Sequence, residues 1–354
     1  MKILILGGTG AMGVHVSDLL SQKGHDVVVT SRRECKSSVP NLQYRKGDAK
    51  DPAFLRELLS ERWDAIVDFM VWSTAEFADR VEQYLNATGQ YVFVSSYRVY
   101  ADSPVITEDS PRLLDVVDDS DYLKTDEYAL AKARCENMLF ESSKKNWTIV
   151  RPAVTYDGTG RFQLAVHESE VWLRRALNGI PVPLPDAICG KQGTMTWGGD
   201  VARMIALLIG NPQALGEAFT VSTSEHQTWR EISEIYKSVV STLKVVDCDM
   251  AKFERAHGAV YQIRYDRMYD RIIDNSKVLA VTGLNQSDLS GLHDGITREL
   301  NGYLARNREK AMHIGSDFGR NARFDKLVGG IPSFSSVAKN GMVPICKYLI
   351  RRFL

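Results

Sequence analysis

Tyr128 and Lys132 stand four residues apart in Tyr128-Ala129-Leu130-Ala131-Lys132, a spacing that puts a phenol and an ammonium on one face of a helix. An ammonium beside a phenol favours the phenolate, so the two can trade a proton with an alcohol or sugar hydroxyl. Such pairs are common on helix surfaces, so the reading rests on the residues around this one. Ser96 follows the apolar run Tyr91 to Ser95, at the C-terminal end of an expected strand. Doubly wound sheets bind ligands at that edge, and a hydroxyl there can hold the substrate oxygen.

A second cluster lies at the start of the chain. Gly7-Gly8-Thr9-Gly10-Ala11-Met12-Gly13 sits between the apolar run Lys2 to Leu6 and a stretch with helical spacing, Val14 to Gln22. Glycines there permit a tight turn and close backbone approach to a pyrophosphate, with a helix N-terminus facing the negative charge. Gly7, Gly10, Ala11, Met12 and Gly13 are therefore assigned to a dinucleotide cofactor. An acidic residue about 20 positions further on would hold the adenosine ribose 2′-hydroxyl. The second strand ends instead in Thr30-Ser31-Arg32-Arg33. Guanidinium groups at Arg32 and Arg33 suit a 2′-phosphate and point to NADP, with NAD as the alternative because Arg also stacks on adenine. Asp48, in Gly47-Asp48-Ala49, can accept from the adenine amino group or simply cap a surface turn.

These residues need a scaffold, and the hydrophobic pattern supplies one. Strands are expected at Lys2 to Leu6, Asp26 to Thr30, Leu42 to Lys46, Ala65 to Phe69, Tyr91 to Ser95 and Trp147 to Val150. Helices are expected between them, at Val14 to Gln22, Pro52 to Ser60, Ala75 to Ala87 and about Glu127 to Ser143. Alternation of this kind gives an α/β fold, a doubly wound parallel Rossmann sheet with helices on both faces. Beyond Arg151 the order becomes irregular. Residues 1–155 and about 195–240 are expected to form the dinucleotide-binding domain, about 156–194 and 241–305 a smaller C-terminal substrate lobe, and 306–354 a basic extension.

Composition narrows the function classes. The 354 residues balance 44 Lys and Arg against 44 Asp and Glu, which argues against a nucleic-acid partner. No apolar run is long enough to span a bilayer. Five dispersed cysteines without a CxxC pair suggest neither a zinc site nor a disulfide framework, and a reducing cytoplasm fits best. Residues 301–354 are the exception to neutrality, with ten Lys and Arg against three Asp and Glu. Their mixture of apolar and basic residues suits either a helix docked on its own domain or, less readily, an anionic membrane surface.

In order and spacing, Gly7 to Gly13, Gly47-Asp48, Val94 to Tyr100, Tyr128 to Lys132 with Glu136, and Arg151-Pro152 resemble the extended short-chain dehydrogenase/reductase family, in an atypical branch of its NAD-dependent epimerase/dehydratase members. The resemblance covers about residues 1–300. It implies Ser96 as hydroxyl-orienting residue, Tyr128 as acid/base, and Lys132 as ribose ligand and modulator of the phenol. It places Arg264, with Arg267 and Arg271 close behind, at the diphosphate of a nucleotide sugar, while Gly193 stands where a further Arg is usual. It also implies a homodimer through the helices near Ala75 and Tyr128. Sugar dehydratases of the family carry an Asp-Glu pair where this chain has Tyr97-Arg98, so dehydration is disfavoured. After the fourth strand a His-x-Ala run gives way to Asp68-Phe69-Met70. A nucleotide-sugar epimerase or ketosugar reductase is the expected activity. A reductase of a non-sugar carbonyl and a non-catalytic, RNA-associated dinucleotide-binding protein are the alternatives.

Overall fold

A computed structural model describes residues 1–313 and 318–353 and divides the chain into two compact units. The first comprises Met1–Thr155, Thr194–Glu225 and Ile272–Ser290. Its centre is a seven-stranded parallel sheet in the order Glu217–Phe219, β6 (Trp147–Val150), β5 (Thr88–Val94), β4 (Trp63–Asp68), β1 (Lys2–Leu6), β2 (Asp26–Ser31) and β3 (Leu42–Lys46).

The run Ile3 to Leu6 is fully buried because both faces of the sheet are covered. Its side chains alternate between two cores. Ile3 and Ile5 join Val27, Val29, Val16 and Leu20 of α1 (Gly13–Gln22), and Val201 and Ile205 of the Gly198–Leu208 helix. Leu4 and Leu6 join Ile66, Phe93, Leu55 of α2 (Pro52–Leu59), Phe77 of α3 (Thr74–Ala78), Tyr84 of α4 (Val81–Ala87) and Leu139 of the Tyr128–Glu141 helix. This three-layer arrangement is the doubly wound fold that the pattern predicts.

The expected Ala75 to Ala87 helix is two helices. The carbonyl of Glu76, which a continuous helix would offer to the Arg80 N–H, accepts instead from the Arg80 guanidinium at 2.6 Å. The Arg80 N–H turns back to Phe77 O at 2.9 Å, and the chain breaks between α3 and α4.

The second unit comprises Tyr156–Gly193, His226–Arg271 and Gly291–Leu354. Three boundaries differ from the expected ones. Residues 226–240 belong here, because the Trp229–Val239 helix buries Trp229, Ile232 and Tyr236, with Tyr236 packed on Trp172 at 4.4 Å. Residues 272–290 belong to the first unit, where Val278 of the Ser276–Thr282 helix enters the core. Residues 306–354 are not a separate extension. Their helices Phe318–Val328, Phe334–Ala338 and Met342–Phe353 enclose Phe318, Ala322, Val337 and Tyr348 together with Ile180. A buried ion pair fixes them, with Arg175 Nη2 donating to Asp325 Oδ1 at 2.9 Å. Among the described residues no helix is long and apolar enough to cross a membrane.

Candidate active site

The turn between β1 and α1 is shaped by what its glycines lack. Gly7 has φ +69°, and a Cβ there would lie 2.9 Å from Met70 Sδ. At Gly13, the first residue of α1, a Cβ would lie 2.6 Å from the Gly8 backbone, so the helix start and the turn are in direct contact. Gly10 is open, with nothing within 4 Å of where its Cβ would stand. The N-cap, Met12, caps none of the first-turn N–H groups with its side chain, and the first turn of α1 holds no acidic residue. With Ala11 beside it, the turn is a backbone cradle at a positive helix end, and this donor set fits a diphosphate.

Arg32 and Arg33 follow β2 and are exposed, with the Arg33 N–H donating to Ser31 Oγ at 3.1 Å. Asp48 is also exposed, and its Oδ1 accepts from Lys50 N at 3.0 Å. It therefore caps the turn leading to α2.

Tyr128 opens the Tyr128–Glu141 helix, which Glu127 caps by accepting from Ala129 N at 2.7 Å. Lys132 lies one turn on and is only 2% exposed. Its Nζ donates to Val94 O at 2.7 Å and to Met70 O at 3.1 Å, 5.9 Å from the Tyr128 ring centre. Ser96, just beyond β5, is buried, and its Oγ accepts from Arg98 N at 3.2 Å. The Arg98 guanidinium covers the Tyr128 ring at 5.2 Å and donates to Glu127 at 2.6 Å. Strand end and helix start are thus tied at Arg98, with Ser96 on one side and Tyr128 on the other. Arg264 and Arg267 lie in the second unit. Arg264 pairs with Glu254 at 2.8 Å, and Arg267, 2% exposed, donates to Ala165 O at 2.8 Å and Gln163 Oε1 at 3.0 Å.

Three supports escaped the sequence reading. Asp68 ends β4 fully buried, where the resemblance leads to a His. Its Oδ1 accepts from Met70 N at 2.8 Å, and its Oδ2 from Trp72 Nε1 at 2.8 Å and Tyr91 OH at 2.6 Å. Burial pushes this carboxyl above the ordinary carboxylate range, against the pull of those hydrogen bonds and of the Lys132 charge. The available signal was an acid ending an otherwise apolar strand. Arg98 was noted only as a departure from the dehydratase pattern. The third support is Glu136, quoted only as part of the resemblance. Both its oxygens accept from Arg151, at 2.8 Å each, and Arg151 also donates to Tyr100 OH at 2.8 Å.

The profile of the NAD dependent epimerase/dehydratase family matches residues 3–222. The chain is 28% identical over 248 residues to the chloroplast stem-loop binding protein of 41 kDa b of Arabidopsis thaliana, covering 64% of this chain and 60% of that protein. It is 26% identical over 247 residues to the 2′-dehydrokanamycin reductase of Streptomyces kanamyceticus, covering 66% and 65%. It is 25% identical over 213 residues to the UDP-glucose 4-epimerase of Neisseria gonorrhoeae, covering 53% and 61%. In each case the match spans less than two thirds of the relative's length. Among solved structures, the UDP-glucose 4-epimerase of Thermus thermophilus in complex with NAD superposes with TM-score 0.64 at 19% identity, over 86% of this chain and 100% of that one. Pal from Bacillus thuringiensis gives 0.68 at 18% identity, over 86% and 99%. Both share the fold.

Proposed function

Because the chain belongs to the NAD dependent epimerase/dehydratase family, we propose that it is an epimerase or ketosugar reductase acting on a nucleotide sugar, with NADP or NAD as cofactor. The observation that carries this reading is Lys132, buried one helical turn from Tyr128 and held between the carbonyl ends of β5 and the loop after β4. The Gly7 to Gly13 turn would hold the diphosphate, Arg32 and Arg33 an adenosine 2′-phosphate, and Asp48 the adenine. An ammonium has three donors and two are used, so Lys132 keeps one for the nicotinamide ribose. When bound, the dinucleotide supplies the hydride acceptor or donor.

The remaining work falls to this chain's own side chains. Ser96 Oγ holds the substrate oxygen, and the Tyr128 phenol takes its proton or returns it. Where a dehydratase carries its acid pair this chain has Tyr97 and Arg98, and the Arg98 guanidinium is engaged by Glu127, which disfavours elimination of water.

The test is a panel of nucleotide sugars with each nicotinamide cofactor, following absorbance and product stereochemistry. Dehydrokanamycin belongs in the panel because a relative is named for reducing it. Tyr128→Phe should lower kcat about 10²- to 10⁴-fold with the fold intact; an unchanged rate would overturn the mechanism. Replacing Arg32 and Arg33 with Ala should weaken NADP more than NAD, and a parent enzyme that prefers NAD removes their role. An RNA-associated reading is favoured by the stem-loop binding relative and opposed by the zero net charge. Retention of a stem-loop RNA at physiological salt, with no turnover on the panel, would favour it.

A further inference from the structure

The Met342–Phe353 helix buries one side and leaves the other bare. Tyr348 points inward, and its OH donates to Asp325 Oδ2 at 2.5 Å, the same oxygen that accepts from Ser333 N and Oγ. Arg352 is drawn to Gly330 O at 2.8 Å. The opposite side carries Leu349, Met342, Phe353, Cys346, Ile350 and Val343, all exposed, with Met342 at 73%, Phe353 at 66% and Ile350 at 53%. At about 100° per residue these six occupy an unbroken arc of about 120°. Lys347 and Arg351, both exposed, flank that arc, and neither is paired with a carboxylate among the described residues.

We propose that this apolar arc and its cationic flank seat the protein on an anionic lipid surface. An apolar stripe bordered by cations is the pattern of a helix lying in a membrane interface, where apolar burial and attraction to anionic headgroups add. Charge selects the occupant. After Asp325 the sequence has five Lys and Arg and no Asp or Glu. A second copy meeting the arc in antiparallel two-fold fashion would set Lys347 and Arg351 on the same side as their own counterparts, with no acid in either copy of this helix to answer them. A lipid headgroup supplies the missing negative charge. The helix is also presented firmly, since the buried Arg175–Asp325–Tyr348 cluster anchors its inner side.

The test uses the full chain and sedimentation with phosphatidylcholine vesicles, with and without phosphatidylglycerol. The parent should pellet only with phosphatidylglycerol present and should be released by salt. Lys347→Gln with Arg351→Gln should weaken binding by about fivefold for each charge removed. Ile350→Glu with Phe353→Glu should abolish it. Both positions are exposed, so an unchanged unfolding midpoint separates lost binding from lost fold. Parent protein that stays in the supernatant with anionic vesicles overturns the proposal, as does equal binding by the Glu variant. A concentration-dependent dimer that the Glu variant disperses also overturns it and assigns the face to a second copy.

Discussion

A buried ammonium has to find oxygen atoms in place of water, and Lys132 finds those of Met70 and Val94. One of these sits in a loop that Asp68 organises through Met70 N and Trp72 Nε1. Asp68→Asn should therefore act at a distance. The amide nitrogen would face a donor that the carboxylate now accepts from, at a cost of about 1–3 kcal/mol. As the Met70 carbonyl shifts, kcat should fall more than KM rises, and chemical unfolding with steady-state kinetics reads both. Unchanged stability and kcat would leave Asp68 without the role. At this scale the sequence was partly legible. Tyr128 and Lys132 declare themselves by spacing along one helix, and the glycines by their place between strand and helix. The partners of Lys132 are backbone carbonyls, which carry no residue-type signal. Arg264 and Arg267 show the limit of residue type, since a cation's partners in the fold, here Glu254 and Gln163, cannot be read from the sequence.

The Tyr128–Glu141 helix is held to the sheet by charge as well as by packing. Glu136 is fully buried and Arg151, next to β6, is 2% exposed, so two desolvated ions join helix to strand end. Glu136→Gln leaves the guanidinium with Tyr100 OH and a neutral amide, and breaking such a pair costs about 3–5 kcal/mol. The unfolding midpoint should fall accordingly, and a loss below about 1 kcal/mol would place the pair among weakly contributing ones. Sequence periodicity found this helix and the six consecutive strands to Val150 because each is a local pattern. It missed the break between α3 and α4 because the cause, a guanidinium taking its own helix's carbonyl at Glu76, is a side-chain choice.

Acid should distinguish the two units. The second buries His167, pushed down to about 3 chiefly by desolvation and then by His257, with Arg175 and Arg320 nearby. His257 is pushed down to about 4 by desolvation and then by Arg320, Arg267 and Arg323. An unfolded chain protonates both imidazoles as pH falls through 6.5, while the folded unit keeps them neutral. Stability that is full above 6.5 is therefore lost on acidification toward about 4 and 3, at up to about 1.4 kcal/mol per pH unit for each imidazole. Asp68 in the first unit has the opposite sign. Its raised carboxyl takes up a proton at higher pH than the unfolded chain's does, so acid relieves it. Amide exchange should show the second unit opening first as pH is lowered, and uniform protection loss in both units would contradict this.

The chain passes between the units five times, and the first closes its core with Val278, delivered after all seven strands. On a ribosome that order has a cost in time. Once Phe219 is made the sheet can assemble, yet the helix that packs beside Gly198–Leu208 is still unsynthesised, with His226–Arg271 to be translated first. Through that interval the nascent chain carries an uncovered apolar patch on an otherwise finished sheet, a surface for chaperones to shield until translation passes Thr282.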